Sequence, residues 1–138
     1  IGDFHLLPGN TPQRETVLEP GELITDVTLP PPVAGSKQVY LKLRDRASYE
    51  FALASAAVVV AIADSNVTRA RIALGGVGTK PWRSPEAETV LAGQPADATS
   101  FRKAAEAALR DAKPQSENGF KIELAKRCLA HALQMAAG

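Results

Sequence analysis

Cysteine occurs once, at Cys128, so no internal disulfide can hold this chain together. A disulfide scaffold is excluded, while the redox compartment stays open. Aromatic residues are scarce at 5%. Ala, Val and Leu must therefore fill the core, and side chains of that size favour helices lying close on a sheet. Neither sign of charge dominates, since 16 basic and 15 acidic residues leave a formal net charge of +1. The electrostatic footprint of a nucleic-acid binder is missing. The longest apolar run, Phe51 to Ala63, carries Ser55 and stops at Asp64. It falls short of the roughly 20 residues that span a bilayer, so no membrane partner is expected. No basic segment precedes an apolar run at the start, so no secretory leader is expected. The opening Ile1-Gly2-Asp3-Phe4-His5, without Met, is what a piece of a longer polypeptide would give.

A length of 138 residues with 45% hydrophobic content suits one domain with a real core. Residues 1–22 interleave short apolar words with Pro8, Gly9, Asn10, Pro12, Pro20 and Gly21, which predicts an extended arm continuing from an upstream domain. Residues 23–138 then form the domain proper. Leu23 to Leu29 has a strand-like alternation that Pro30-Pro31-Pro32 stops. Val39 to Leu43 reads as a second strand. Ala54 to Ile62, with Val58-Val59-Val60, and Val67 to Leu74 read as a hairpin around a three-residue turn, Asp64-Ser65-Asn66. Ser84 and Pro85 start a short helix that Gly93 closes. Thr99 or Ser100 caps a second, running to about Ala112, with Phe101, Ala104, Ala105, Ala108 and Leu109 on one face. Asn118 to Ala137 is a third, with Ile122, Ala125, Leu129, Ala132 and Leu133 at helical spacing. Strands followed by helices predict an α+β fold: a mostly antiparallel sheet of three or more strands, with about three helices on one face.

Little in this order amounts to chemistry. Gly75-Gly76-Val77-Gly78-Thr79-Lys80 lacks the Gly-Lys-Ser/Thr ending of a phosphate-binding loop, and Pro81-Trp82 follows where a helix should begin. It reads as a glycine-rich exit from a strand. His5 and His131 have no ligand-spaced partners, so no metal site is expected. Cys128 and His131 share a helix but have no third, orienting residue, which favours packing over nucleophilic catalysis. Glu86 and Glu88 suit the start of a helix dipole, and Glu123 with Lys126 or Arg127 is an ordinary surface pair. The stretch Lys42 to Phe51 is different. It gathers Lys42, Arg44, Arg46, Tyr49 and Phe51 between two strands. Solvated charged turn and binding edge are both open readings. In the second, a cation near a flavin would stabilise negative charge on the N1–C2 oxygen side of the reduced ring, and a flat apolar group would cover a ring face.

Four phrases carry a family resemblance. They are Leu18-Glu19-Pro20-Gly21-Glu22-Leu23-Ile24 leading to Val27-Thr28-Leu29-Pro30; Lys42 to Ser48 running into Ala52-Leu53-Ala54-Ser55-Ala56-Ala57-Val58; Ala70 to Gly78 with Pro81, Arg83, Glu88, Leu91 and Gly93; and the helical tail. In that order the chain resembles the C-terminal domain of the FAD-binding subunit of molybdenum hydroxylases. That family includes carbon monoxide dehydrogenase medium subunits, xanthine dehydrogenases and aldehyde oxidoreductases. Asp3-Phe4-His5-Leu6-Leu7-Pro8-Gly9 is most similar to the aldehyde-oxidoreductase branch.

The resemblance implies a part of an enzyme, inactive alone. FAD would be held mainly by upstream domains, with molybdopterin and iron–sulfur clusters mostly in partner subunits. It implies that Lys42 lies near the flavin ring, that Arg46 belongs to the same segment and that Phe51 lies beside the ring, where the family usually has a smaller aliphatic residue. Tyr49 joins this set by location alone. The implied partners are the upstream FAD-binding domains, an iron–sulfur subunit and a molybdenum subunit. The implied compartment is cytoplasmic, or periplasmic by export with a partner. The rival reading is a pure assembly module whose Lys42–Phe51 loop never meets flavin.

Overall fold

The computed structural model describes residues 2–138. Four strands come first, β1 (Ser36–Leu43), β2 (Ala54–Ala63), β3 (Asn66–Gly75) and β4 (Trp82–Arg83). Three helices follow, α1 (Pro85–Leu91), α2 (Ala98–Ala108) and α3 (Phe120–Ala137). Every strand pairs antiparallel with the next, in the order β1-β2-β3-β4. The α+β arrangement is therefore the one that the order of strands and helices predicts.

Period-two alternation decides which face is covered. Val39, Leu41 and Leu43 on β1, Ala54, Ala56, Val58 and Val60 on β2, and Ala70, Ile72 and Leu74 on β3 turn toward the helices. There α3 lies across β1 and β2, α1 lies over β3, and α2 packs on both helices. The opposite face carries no helix. Val67 is also fully buried, although three positions separate it from Ala70. A bulge makes this possible: Ala61 faces Arg69 and Ile62 faces Val67, so Thr68 is the extra residue and its hydroxyl donates to the Ala61 carbonyl at 3.1 Å.

Local chemistry sets the ends. The hairpin turn is two residues, not three, because Asn66 already pairs with Ala63. Asp64 and Ser65 both take positive φ, 49° and 63°, as a turn matched to strand twist requires. Ser84 caps α1 by accepting from the Ala87 amide at 3.3 Å, with Pro85 at the first helical position. The cap of α2 is Asp97, not Thr99 or Ser100: its extended backbone lets the carboxylate accept from the Ser100 amide at 2.8 Å. That bond holds the Asp97 carboxyl below its usual range. α2 stops at Ala108, short of Ala112, and α3 starts at Phe120, because Asn118 instead bonds the Gln115 amide in the preceding turn.

One expectation fails. Leu23–Leu29 forms no strand: it is extended but exposed, with no ladder partner in this sheet. Residues 2–22 contain no helix or strand, yet the chain doubles back through an isolated His5–Thr16 bridge. One strand was not anticipated, β4, whose Trp82 pairs with Leu74 and donates its indole N–H to the Ala108 carbonyl at 3.1 Å.

Candidate functional site

β1 and β2 are joined by residues 44–53, and the base of this loop is closed by the Leu53 amide donating to the Leu43 carbonyl at 2.9 Å. The charged sequence of the loop is put to structural use. Glu50 folds its carboxylate back to accept from the amides of Asp45 and Arg46, at 2.9 and 3.0 Å. The Arg46 guanidinium donates to the Tyr49 carbonyl, and Tyr49 takes a φ of 53°. Asn, Asp and Gly adopt that region more readily than tyrosine. This bracing leaves the Tyr49 and Phe51 rings each 94% exposed. Two aromatic rings held in water by a braced loop form an apolar surface with nothing of its own to cover.

Lys42 lies apart from the loop tip, on the sheet itself. Its even position on β1 turns it to the helix-free face, half-buried, in register with Ser55, which in turn faces Gly75. Among the described residues it makes no ion pair. Gly75 and Gly76 are explained by this neighbourhood. A Cβ on Gly75 would stand 2.6 Å from the Ser55 hydroxyl oxygen. One on Gly76, at φ +72°, would stand 2.7 Å from the Ala52 carbonyl oxygen. The glycine-rich segment thus packs against Ser55 and the end of the 44–53 loop.

The structure brings Arg46 and Tyr49 together in the β1–β2 connection and places Lys42 on β1, just before it. Phe51 makes no ring contact with Tyr49, since the described aromatic pair is Phe4 with His5. The sequence reading missed Glu50, although a lone acid five residues after Asp45 in a cationic loop was its signal. It also underrated Glu88. That carboxylate, with its side chain 10% exposed, accepts from the Ile72 amide at 2.9 Å, from Arg71 at 2.8 Å and from Arg83. Glu88 thus ties α1 to β3 and β4, and holds two arginines on the helix-free face. The shallow groove of that face is lined by Gln38, Tyr40, Ala57, Val59, Arg71 and Arg83.

Cys128 is buried against the Leu41 and Ala54 carbonyls, and burial pushes its thiol up to about 11. His131, three residues on, is exposed. A thiol held protonated is a poor nucleophile, because the reactive species is the thiolate. The folded chain is therefore expected to resist a thiol reagent at pH 8 that labels the urea-unfolded chain fully. The linkage has a definite sign: the unfolded thiol ionises near 9.0 and the folded one near 11, so this contribution is complete below pH 9 and lost as pH rises to about 11. Among the described residues no three His, Cys, Asp or Glu converge as metal ligands, and no helix is long and apolar enough to cross a membrane.

Lys42 offers a cation without an internal counter-ion, and Tyr49 and Phe51 offer flat apolar groups.

Known proteins share both the sequence and the fold of this domain. The family described as CO dehydrogenase flavoprotein C-terminal domain matches residues 38–136. The aldehyde oxidoreductase FAD-binding subunit PaoB of Escherichia coli is 48% identical over 133 residues, which is 96% of this chain but 38% of PaoB. The carbon monoxide dehydrogenase medium chain of Afipia carboxidovorans is 34% identical over 102 residues, 74% of this chain and 35% of that one. A crystal structure of Cu,Mo-CO dehydrogenase in its cyanide-inactivated form superposes with a TM-score of 0.81 at 31% identity, over 90% of this chain and 44% of its own. A carbon monoxide dehydrogenase from Hydrogenophaga pseudoflava that lacks the Mo-pyranopterin moiety gives 0.80 at 29%, over 88% and 43%. The chain spans a little over a third of these two curated relatives. Both the sequence over residues 38–136 and the fold are thus shared with these proteins, and the chain belongs to the CO dehydrogenase flavoprotein C-terminal domain family.

Proposed function

We propose that this domain closes the isoalloxazine side of an FAD site. The pyrophosphate and adenine would be held elsewhere in the same flavoprotein. Through that site the domain serves a molybdopterin- and iron–sulfur-dependent oxidoreductase of the aldehyde oxidoreductase or xanthine dehydrogenase type. When bound, FAD would take the electrons that the iron–sulfur clusters deliver. The iron–sulfur and molybdenum subunits are the proposed partners, and the domain is inactive alone. The single observation that carries this reading is Lys42, a half-buried cation with no ion pair, on the helix-free face beside the loop that exposes Tyr49 and Phe51. Lys42 is assigned to the flavin edge, where it opposes the negative charge of the reduced ring. Phe51 and Tyr49 are assigned to the ring's surroundings. Arg46 acts on them by holding the Tyr49 carbonyl. The complex is proposed to be cytoplasmic, with export alongside a partner as the alternative.

Lys42→Ala in the complete flavoprotein is expected to weaken flavin binding about 10- to 100-fold, the loss of one charge-assisted interaction of about 1.5–3 kcal/mol. Flavin release followed by fluorescence, and flavin reduction followed by absorbance, measure it. Unchanged affinity together with an unchanged reduction rate would remove Lys42 from the site. Crosslinks from position 49 or 51 that reach only protein, never flavin, would favour the assembly module.

A further inference from the structure

The segment Leu23–Leu29 has the pattern of a strand and none of the contacts of one. Leu23, Ile24, Val27 and Leu29 are 83%, 52%, 70% and 78% exposed. Leu23, Val27 and Leu29 fall on one row of an extended chain with Thr25, while Ile24, Asp26 and Thr28 fall on the other. Such a row is stable only against another apolar layer.

The obvious acceptor in this domain is barred. β1 is an edge strand with one free side. A turn closed by the Ser36 amide donating to the Val33 carbonyl at 3.1 Å leads into it. Pairing back across that turn would set Pro32, Pro31 and Pro30 opposite Lys37, Gln38 and Val39. Proline has no N–H to give a ladder, and three in succession hold the chain in a straight polyproline conformation. The prolines guard the β1 edge and direct the arm away from it. The family match begins at residue 38, beyond the arm, whereas similarity to PaoB extends over 96% of the chain. Leu23–Leu29 therefore accompanies the domain in sequence while its apolar side chains stay outside the domain's packing.

We infer that Leu23–Leu29 is a strand of a different sheet: it adds to an open edge in the flavin-holding remainder of the same polypeptide, with Leu23, Val27 and Leu29 turned into that sheet's core. The domain boundary then falls in Pro30–Gly35, not at residue 22. This rests on the proposal that the chain is one part of a longer flavoprotein. It makes Pro30–Pro32 the spacer between a strand of one unit and the first strand of the next.

Hydrogen exchange on the complete flavoprotein tests it. Amides of residues 24–29 are expected to exchange about 100-fold more slowly than those of 33–35, as ladder amides do. In the 138-residue chain alone they should exchange as open amides. Val27→Asp with Leu29→Asp should abolish the protection, whereas Thr28→Asp, on the other row, should keep it. Rapid exchange of 24–29 in the complete protein would overturn the inference. So would protection in the chain alone accompanied by a doubled mass, since that places the strand on a second copy. Flavin content of the same samples is read separately, so a failure of the Lys42 assignment shows as unchanged flavin binding while the arm remains protected.

Discussion

Phe101→Ala is expected to lower the unfolding free energy by about 4 kcal/mol, more than any other single truncation in this core. Phe101 is the largest side chain buried to within 2% of complete, and it lies on α2, the helix that packs on both α1 and α3. Its surroundings cannot close over the gap. Ala87, Ala104, Ala105, Ala125 and Ala132 belong to the same buried cluster, and an alanine has no side-chain torsion with which to reach into a void. Urea denaturation followed by Trp82 fluorescence is a suitable measure, because the indole is bonded to the C-terminal end of α2 at Ala108. A loss under about 1.5 kcal/mol would show that the helices collapse after all.

Gly76→Ala is the second large effect, and it bears on the site. Two costs meet at this position. The residue has a φ of +72°, and the new methyl would stand 2.7 Å from the Ala52 carbonyl oxygen and 3.2 Å from that of Leu53. The backbone term is about 1–2 kcal/mol. The steric term can be relieved only by moving residues 52–53, which end the loop that presents Tyr49 and Phe51. Gly93 supplies the control, with a φ of +75° and nothing within 4 Å of the added carbon. Gly93→Ala is expected to cost the backbone term alone. Gly76→Ala is expected to cost at least about 1 kcal/mol more and to speed exchange of the Leu53 amide, which is bonded to Leu43. Equal costs at the two glycines would mean that the 44–53 loop tolerates the displacement.

The sequence made the central hairpin, β1 and the three helices legible because each depends on its own pattern: alternation in Val39–Leu43, β-branched density in Val58–Val60, and a Ser-Pro start at α1. Boundaries were less legible, since they depend on competition between neighbours. Asp97 outbids Thr99 and Ser100 for the α2 cap only because its backbone is extended there. The arm misled for a different reason. Leu23–Leu29 alternates as a strand should, but alternation states what a segment can bury and not against which sheet. For the site, the family phrases pointed to Lys42, Arg46 and Phe51, and to Tyr49 by location. Glu50 and Glu88 stayed hidden, because a carboxylate that folds onto backbone amides looks in sequence like any surface acid.

The alanine-rich layer between sheet and helices has a mechanical consequence. Methyl groups have no rotamers to exchange, so the layer offers few soft internal degrees of freedom between β2 and α3. Ala54, Ala56, Ala125 and Ala132 hold these elements at close range with no exposure at all. A displacement imposed at the β1–β2 loop is then not absorbed inside the domain. It would be passed to β2 and α3 together, so the sheet and the helix packed on it would shift as one layer.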